Sequence, residues 1–190
     1  PHTDHCPGYG SAAKFVAATV METGLDLKGL ITSSRITLLE AMGRNTGWIA
    51  AASALARRHE DDAPHLIYLP ETPFSRSRFV EDVRRTYMEY GYAYVVVSEG
   101  LRCERGEYIF ADSCTDAFGH VRLGGLSDSL KVLLEEETGL RVRIIVLGTM
   151  QRAAAHYASL TDAQEAYLVG AEAVKAALQG RSGFMVTLQR

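Results

Sequence analysis

Several features that define large classes of protein are missing from this sequence of 190 residues. It contains no run of lysine or arginine and carries a formal net charge of −3, so we expect neither nucleic acid nor a membrane surface as its partner. No apolar stretch approaches the roughly 20 residues that a membrane-spanning helix needs. The composition therefore argues against nucleic-acid-binding and membrane proteins.

Two catalytic motifs are also absent. The sequence has no Gly-x-x-x-x-Gly-Lys-Ser/Thr phosphate loop and no Gly-x-Ser-x-Gly elbow, so neither that nucleotide site nor an activated serine is predicted. Cysteine is scarce, odd in number and without zinc-like spacing, which favours reduced thiols in the cytoplasm over disulfides. The three cysteines are Cys6, Cys103 and Cys114.

What the sequence does contain is a regular alternation of strand-like and helix-like segments. Hydrophobic residues make up 47% of the chain, enough for a packed core. Short apolar runs predict strands at 36–42, 66–69, 93–97, 142–147 and 184–188. Apolar residues at helical spacing predict helices at 10–23, 48–58, 77–90, 127–138 and 162–179. We expect Gly24 to end the first helix, and Ser127 and Asp162 to cap the last two. This alternation predicts an α/β fold, a three-layer sandwich with a mostly parallel sheet.

Three of the predicted strands end in polar, glycine-containing turns. These turns are Met42-Gly43-Arg44, Ser98-Glu99-Gly100 and Gly148-Thr149-Met150-Gln151-Arg152. Because parallel strands place their carboxyl ends at one edge of the sheet, where α/β proteins bind ligands, we expect the three turns to line one cleft. Glycine allows a close backbone approach, and arginine offers a planar fork of donors suited to phosphate. The predicted cleft therefore holds two arginines, Arg44 and Arg152, and one carboxylate, Glu99.

Two weaker motifs lie near the amino terminus. Residues 8–13 match the dinucleotide pattern Gly-x-Gly-x-x-Ala, but residues 2–7 are polar and end in proline, so the required preceding strand is missing. We interpret this turn as a helix start and keep a nucleotide-dependent oxidoreductase as an alternative. A possible metal cluster comprises His2, Asp4, His5 and Cys6. Four ligands within five residues cannot easily surround one tetrahedral ion, so we predict a loop with capping roles instead.

Taken together and in order, four segments resemble the phosphofructokinase family. They are residues 3–14, 35–44, 98–100 and 147–152. The first resembles the segment after the family's catalytic loop, the second its fructose 6-phosphate motif, and the others its further sugar-phosphate loops. The resemblance covers nearly all 190 residues. It implies a glycolytic 6-phosphofructokinase, which transfers a phosphoryl group to the 1-hydroxyl of fructose 6-phosphate.

The resemblance also implies a role for individual residues. Arg44, with Met42 and Gly43 beside it, would contact the sugar phosphate and stabilise the transferring group, which makes Arg44 the candidate catalytic residue. Glu99 would accept hydroxyls of the fructose ring. Arg152 would bind the 6-phosphate.

Three further substrate-binding positions follow from the same resemblance. Arg35 and Arg143 match arginines that the family extends into a neighbouring subunit's site, which implies a homo-oligomer with shared active sites. Thr149 stands where the family usually has histidine or tyrosine, so its contact with the substrate departs from the family pattern.

The resemblance places other parts of the site before Pro1. These are the catalytic aspartate and the glycine-rich loops that hold the phosphoryl donor and its magnesium ion, so we expect the chain to be the acceptor-binding half of an enzyme. Residues 1–151 would form the fructose 6-phosphate-binding domain, with 1–10 a loop from the catalytic region. Residues 152–190 would return as helix and strand to the donor-binding domain. The last helix carries an apolar stripe that we expect the rest of the chain to cover poorly: Ala163, Ala166, Tyr167, Gly170, Ala173, Val174 and Ala177.

The phosphoryl donor is inferred from two segments. The opening Asp4-His5-Cys6-Pro7 and residues 151–170 are more similar to pyrophosphate-dependent family members than to bacterial ATP-dependent ones. Pyrophosphate is therefore the expected donor, and ATP is the alternative. A non-catalytic sugar-phosphate-binding subunit is the other alternative, because an acceptor half alone would bind the sugar without reacting.

Overall fold

The computed structural model describes residues 5–30, 33–109 and 124–189. In chain order its elements are α1 (Tyr9–Gly29), β1 (Ile36–Ala41), α2 (Trp48–Ala52), β2 (Leu66–Tyr68), α3 (Arg76–Tyr90), β3 (Ala93–Ser98), α4 (Leu126–Thr138), β4 (Val142–Val146), α5 (Met150–Ala153) and α6 (Leu160–Leu178). Short 3₁₀ turns follow α2 at Ser53–Ala56 and α5 at Ala155–Tyr157. The predicted alternation of strands and helices is confirmed, apart from the final strand.

The four strands form one parallel sheet in the order β2-β3-β1-β4. The central strand β1 pairs with β3 along its whole length, from Ile36 opposite Ala93 to Ala41 opposite Ser98. On its other side β1 pairs with β4, from Ile36 opposite Val142 onwards. The strands run in one direction, so their carboxyl ends share one edge.

Side chains of the two inner strands alternate between two apolar cores, one on each face of the sheet. Leu38 and Val95 pack in the core under α3 and α4. Leu39 and Val96 pack in the core under α1 and α2. Burial on both faces explains why β3 is apolar along its whole length, since a central parallel strand has no solvent face. The predicted three-layer α/β sandwich is therefore confirmed.

Helix α1 does not end at Gly24, as the sequence suggested, but continues to Gly29. Gly24 is buried, and a β-carbon there would lie 2.6 Å from the β-carbon of Ala63. Glycine at this position therefore allows the helix to touch the loop before β2, and it has no role in ending the helix.

Two other predictions are wrong, the end of one helix and the existence of one strand. The helix predicted from residue 48 to 58 gives way to a 3₁₀ turn that ends at Ala56, because Arg57 turns to an extended backbone and its guanidinium donates to the carbonyl of Glu60 at 2.7 Å. The strand predicted at 184–188 is not formed. A strand needs a neighbouring strand to which it can hydrogen-bond. Of residues 184–188, only Leu188 pairs with another part of the described chain, in a single bridge to His5.

The two predicted helix caps act on other elements. Ser127 lies inside the first turn of α4, and its N–H and hydroxyl donate to Glu40 Oε2 at 3.0 and 2.6 Å. Asp162 lies inside the first turn of α6, whose N-cap is Ser159. The Asp162 carboxylate accepts the N–H and hydroxyl of Ser11 at 2.7 and 2.6 Å. Ser127 therefore ties α4 to β1, and Asp162 caps α1 instead of α6.

The contact with α1 keeps Asp162 charged. Burial would raise the pKa of Asp162, but hydrogen bonds from Ser11 and from the N–H groups of Gly8 and Gly10 outweigh it and lower this pKa. The positive end of the α1 dipole favours the same charged form. Because the folded pKa is lowered, this stabilisation is present above the ordinary carboxyl pKa and is lost as the pH falls through the lowered value.

We expect Asp162→Ala to reduce the free energy of unfolding by about 1–2 kcal/mol, as for loss of a helix cap. Hydrogen exchange at the Ser11 amide should become faster. Glu172→Ala is the matched control, because it removes from α6 an exposed carboxylate that pairs with Lys175 on the same helix, and its effect should stay below about 0.5 kcal/mol. Equal effects of the two substitutions would show that Asp162 does not join the helices.

Most of the α6 surface is exposed. Ala176 is the buried residue of this helix, whereas Tyr167, Val174 and Leu178 are 80, 61 and 84% exposed. All seven residues of the predicted apolar stripe face solvent in the described structure. The expectation that the rest of the chain covers this stripe poorly is confirmed.

Candidate active site

Strands β1, β3 and β4 end side by side. Ala41 is opposite Ser98, and Glu40 is opposite Val146. Just beyond the last pairs, the N–H of Glu99 donates to the carbonyl of Ala41 at 3.0 Å. The three turns that follow these strands therefore begin at the same edge of the sheet.

Hydrogen bonds from both neighbouring turns reach the turn after β1. The N–H of Gly43 donates to Glu99 Oε1 at 3.3 Å, and the Ser98 hydroxyl donates to the Gly43 carbonyl at 2.6 Å. On the other side, the N–H of Met42 donates to Gln151 Oε1 at 3.2 Å. The three turns thus form one connected group.

Two glycines allow these turns to approach each other. A β-carbon at Gly43 would lie 2.5 Å from Ser98 Oγ and 2.6 Å from the carbonyl oxygen of Thr46. A β-carbon at Gly100 would lie 2.6 Å from the Gly43 carbonyl oxygen and would overlap the carbonyl oxygen of Arg44. The absence of a side chain at Gly43 and Gly100 therefore allows the turns to pack against each other.

Arg44 and Arg152 lie on the turns after β1 and β4. Arg44 is half-buried and Arg152 is exposed. Neither guanidinium group has a hydrogen bond or ion pair with any residue of the described ranges. Glu99, between β3 and its turn, accepts the Gly43 N–H with one carboxylate oxygen and leaves the other without a donor from these residues. Two cations and one acceptor oxygen are therefore available for a ligand.

An open cavity of about 630 Å³ borders this group. It lies between the first turn of α1 and the turn after β4, where Gln151 and Arg152 line it. This volume falls within the range of about 300–1,000 Å³ typical of small-molecule sites. The lining includes neither Arg44 nor Glu99. The cavity therefore corresponds only to the part of the predicted cleft that lies next to Arg152. Thr149 is exposed on the same turn.

Arg35 and Arg143 lie at the opposite edge of the sheet. Arg35 precedes β1 and donates to the carbonyl of Gly91 at 3.4 Å, while Arg143 near the start of β4 pairs with Asp26 at 2.6 Å. Arg35 comes before the six residues of β1, which span roughly 20 Å, and Arg143 lies opposite Thr37 near the start of that strand, whereas Arg44 follows its end. The structure therefore does not bring Arg35 and Arg143 into the group formed by Arg44, Glu99 and Arg152.

Sequence reasoning missed one polar cluster next to Arg44. Arg102 donates to Asn45 Oδ1 at 3.0 Å and to the Tyr108 hydroxyl at 2.9 Å, and this hydroxyl donates to Asn45 at 3.2 Å. The cluster fixes the residue that follows Arg44. No local pattern indicated it, because Asn45 and Arg102 are 57 positions apart.

The turn at residues 8–13 is not available to a dinucleotide. Helix α1 begins there at Tyr9, and the Asp162 carboxylate occupies the helix start, where a dinucleotide motif binds pyrophosphate. Residues 5–8 form a single bridge and a turn rather than a strand. The interpretation of this motif as a helix start is confirmed, and the oxidoreductase alternative loses its support.

A second cavity, of about 200 Å³, lies between α1 and the loop before β2. Lys28 and Arg58 line it, and Lys28 already pairs with Asp61 and Asp62 at 2.9 and 3.1 Å. The hydrogen bond to Asp61 is the main cause of a raised pKa for Lys28. Because this cavity lies along the second half of α1 and no residue of the three turns lines it, we do not assign the active site here.

The part of the chain that the structure describes contains neither a disulfide nor a cluster of metal ligands. Cys6 and Cys103 form no disulfide among these residues, and Cys114 lies outside them, as do His2 and Asp4. No group of three or more His, Cys, Asp or Glu in these ranges is arranged to hold a metal, and we derive no metal-dependent step. None of the helices found there has the length and apolarity needed to cross a bilayer.

The fold and this arrangement define an α/β protein with a candidate ligand site, flanked by two arginines, at the carboxyl ends of a parallel sheet. A sequence model of the family described as phosphofructokinase matches residues 1–177. A pyrophosphate–fructose 6-phosphate 1-phosphotransferase of Halomonas elongata is 42% identical over 191 residues, covering 100% of this chain and 46% of the relative. A sulfofructose kinase of Alkalicoccus urumqiensis is 38% identical, covering 98% of this chain and 48% of the relative. The chain belongs to the phosphofructokinase family.

Solved structures agree with this membership. The crystal structure of a pyrophosphate-dependent phosphofructokinase from Marinobacter aquaeolei matches with a TM-score of 0.80 and 40% identity, over 100% of this chain and 44% of that chain. The family and the fold predicted from the sequence are therefore confirmed. The chain spans about half the length of the relatives that it matches.

Proposed function

We propose that the protein is a 6-phosphofructokinase that transfers a phosphoryl group from pyrophosphate to the 1-hydroxyl of fructose 6-phosphate. One observation carries this proposal: hydrogen bonds join the turns that bear Arg44, Glu99 and Arg152, and the two arginines have no partner in the described ranges. The family and the relative from Halomonas elongata support this choice of acceptor and donor.

Binding of the acceptor is assigned to the residues that border the site. Arg152 binds the 6-phosphate from the cavity wall, and the second oxygen of Glu99 accepts hydroxyls of the fructose ring. Charge-assisted hydrogen bonds of this kind contribute about 1.5–3 kcal/mol each, so a few of them account for tight binding of a sugar phosphate. Met42, Gly43 and Thr149 contact the fructose 6-phosphate next to Arg152 and Glu99.

Arg44 is assigned the catalytic role. The phosphoryl group in transfer spreads its negative charge over three oxygens, and a fixed cation stabilises that charge more than it stabilises the ground state. Arg44 suits this role because its turn is bonded to both neighbours and its guanidinium has no partner in the described ranges. The family resemblance implies a catalytic base and magnesium outside these residues.

The resemblance further implies a cytoplasmic homo-oligomer in which Arg35 and Arg143 reach a neighbouring subunit's site. Their location near the starts of β1 and β4, whereas Arg44 follows the end of β1, suits a role in trans better than one in cis. Arg143 would first have to leave Asp26, but an exposed ion pair contributes only about 0–1 kcal/mol.

Subunit mixing should reveal these shared sites. We expect inactive Arg35→Ala and Glu99→Ala proteins to recover up to about a quarter of wild-type activity when subunits are exchanged in equal amounts, because hybrid dimers contain one intact site in two. Glu99→Ala mixed with Arg44→Ala is the control and should recover nothing, since both residues belong to the same subunit's site. Recovery in neither mixture, despite confirmed exchange, would contradict sharing.

We also propose a domain organisation. Residues 1–151 form the acceptor domain, and residues 152–190 pack against a donor-binding domain through the exposed stripe of α6. Burying this stripe would stabilise the assembly, since apolar surface contributes about 25 cal/mol per Å² removed from water.

A coupled assay on the intact protein tests the function. We expect fructose 1,6-bisphosphate from fructose 6-phosphate and pyrophosphate, and much less with ATP. Turnover with ATP alone would establish the ATP-dependent alternative, and binding of fructose 6-phosphate without turnover would establish a non-catalytic sugar-phosphate-binding subunit. Preferential phosphorylation of sulfofructose would contradict the proposed acceptor.

A further inference from the structure

Gln151 is the buried residue of the turn that follows β4. It is 2% exposed, whereas its neighbours Met150 and Arg152 face solvent. A buried carboxamide is costly unless it is hydrogen-bonded, so burial of this side chain within an open turn requires a specific partner.

That partner is the N–H of Met42, which donates to Gln151 Oε1 at 3.2 Å. The Nε2 atom of Gln151 is buried without a partner in the described ranges, so the bond to Met42 accounts for the side chain's orientation there. Met42 follows the last residue of β1 and precedes Arg44 by two positions. Arg152 is the next residue after Gln151. A single side chain thus joins the turns that carry the two available arginines.

We propose that Gln151 is a positioning residue, which fixes the Arg44 turn relative to the Arg152 turn. On the β3 side, Glu99 and Ser98 bond to Gly43; Gln151 provides the matching contact on the β4 side. The proposal rests on the function proposed above, since it links the cation for the transferring group to the cation for the 6-phosphate.

Loss of this bond should affect the Arg44 turn more than the Arg152 turn. The backbone around Arg152 keeps its own bonds, from Arg152 N–H to Thr149 at 3.2 Å and from Ala154 N–H to Met150 at 3.0 Å. The Met42 N–H makes its hydrogen bond to Gln151 alone among the described residues. Small displacements of a catalytic group reduce turnover strongly, whereas substrate binding tolerates them better.

A double-mutant cycle on the intact protein tests this proposal. Gln151→Met keeps the side-chain length and removes the acceptor, and we expect it to lower kcat about tenfold while KM for fructose 6-phosphate changes less than about threefold. In the Arg44→Ala background the same change should cost less than about twofold, because coupled residues are not additive. Gln164→Met, on the exposed surface of α6, is the control and should leave kcat unchanged.

Hydrogen exchange at the Met42 amide tests the same hydrogen bond by a measurement that does not depend on catalysis. The Met42 amide should exchange about tenfold faster in Gln151→Met than in the wild type. If Gln151→Met does not fold, Gln151→Asn retains the carboxamide but is too short to reach Met42, and the same cycle and the same faster exchange are expected.

The possible failures can be told apart. A wild type that phosphorylates no sugar would refute the proposed function and, with it, any effect of Gln151 on turnover. An active wild type with equal losses from Gln151→Met in both backgrounds, or with unchanged kcat and unchanged Met42 exchange, would refute the positioning role alone.

Discussion

Arg44→Ala in the intact protein should lower kcat by about 100-fold or more while raising the KM for fructose 6-phosphate only a few-fold. The reason is that a cation aimed at the transferring group acts in the transition state, where single electrostatic contacts are worth about 10²–10³ in rate. Arg152→Ala should show the opposite pattern, with KM about tenfold higher and kcat nearly preserved, because the 6-phosphate is bound equally in both states. Steady-state kinetics on both variants measures the difference.

Arg105→Ala is the matched control for these two substitutions. Arg105 is an exposed arginine on the loop after β3, and we assign it no part in the site. Its kinetics should match the wild type. If Arg44→Ala and Arg152→Ala instead produced the same rise in KM with unchanged kcat, Arg44 would be a binding residue like Arg152.

Gly100→Ala should damage the site without removing any functional group. The added β-carbon would overlap the carbonyl oxygen of Arg44 and lie 2.6 Å from that of Gly43, so the turn that carries Arg44 must move. We expect kcat to fall by about 100-fold, as for misplacement of a catalytic group by an ångström. The free energy of unfolding should fall by about 1–3 kcal/mol, the usual cost of overpacking.

Gly29→Ala provides the control for Gly100→Ala. Gly29 is exposed at the end of α1, and a β-carbon there has no neighbour within 4 Å. This substitution should leave kcat unchanged and raise stability slightly, since alanine favours helix more than glycine does. An active, fully stable Gly100→Ala protein would show that the two turns do not need their present contact.

The sheet could be predicted because its signals are local. The apolar run at 93–97 has no solvent face, which is typical of a central parallel strand, and its glycine-containing end resembles the ends of β1 and β4. Parallel pairing then requires the three ends to lie at one edge. The meeting of the turns that carry Arg44, Glu99 and Arg152 follows from the fold class alone.

Contacts between distant parts of the chain could not be predicted in the same way. Asp162 and Ser11 are 151 positions apart, and Gln151 and Met42 are 109 positions apart. A residue suited to capping its own helix can equally cap another, as Asp162 does. Sequence reasoning therefore recognised Asp162 as a cap and chose the wrong helix.

The roles of individual glycines could be predicted only in part, for the same reason. Gly24 was predicted to end a helix, because glycine commonly does so, but it is required where α1 touches the loop at Ala63. At Gly43 the expected close approach is made by Ser98 and Thr46 of the same chain. Local pattern identifies where glycine matters, and only the packed structure identifies which neighbour needs the space.

A crystal structure of the intact protein with fructose 6-phosphate tests the central claim most directly. We predict that the 6-phosphate lies within hydrogen-bonding distance of the Arg152 guanidinium, with ring hydroxyls at Glu99 and the 1-hydroxyl directed towards Arg44. Sugar phosphate bound away from the carboxyl ends of β1, β3 and β4, or bound there without contact to Arg152 and Glu99, would contradict the account.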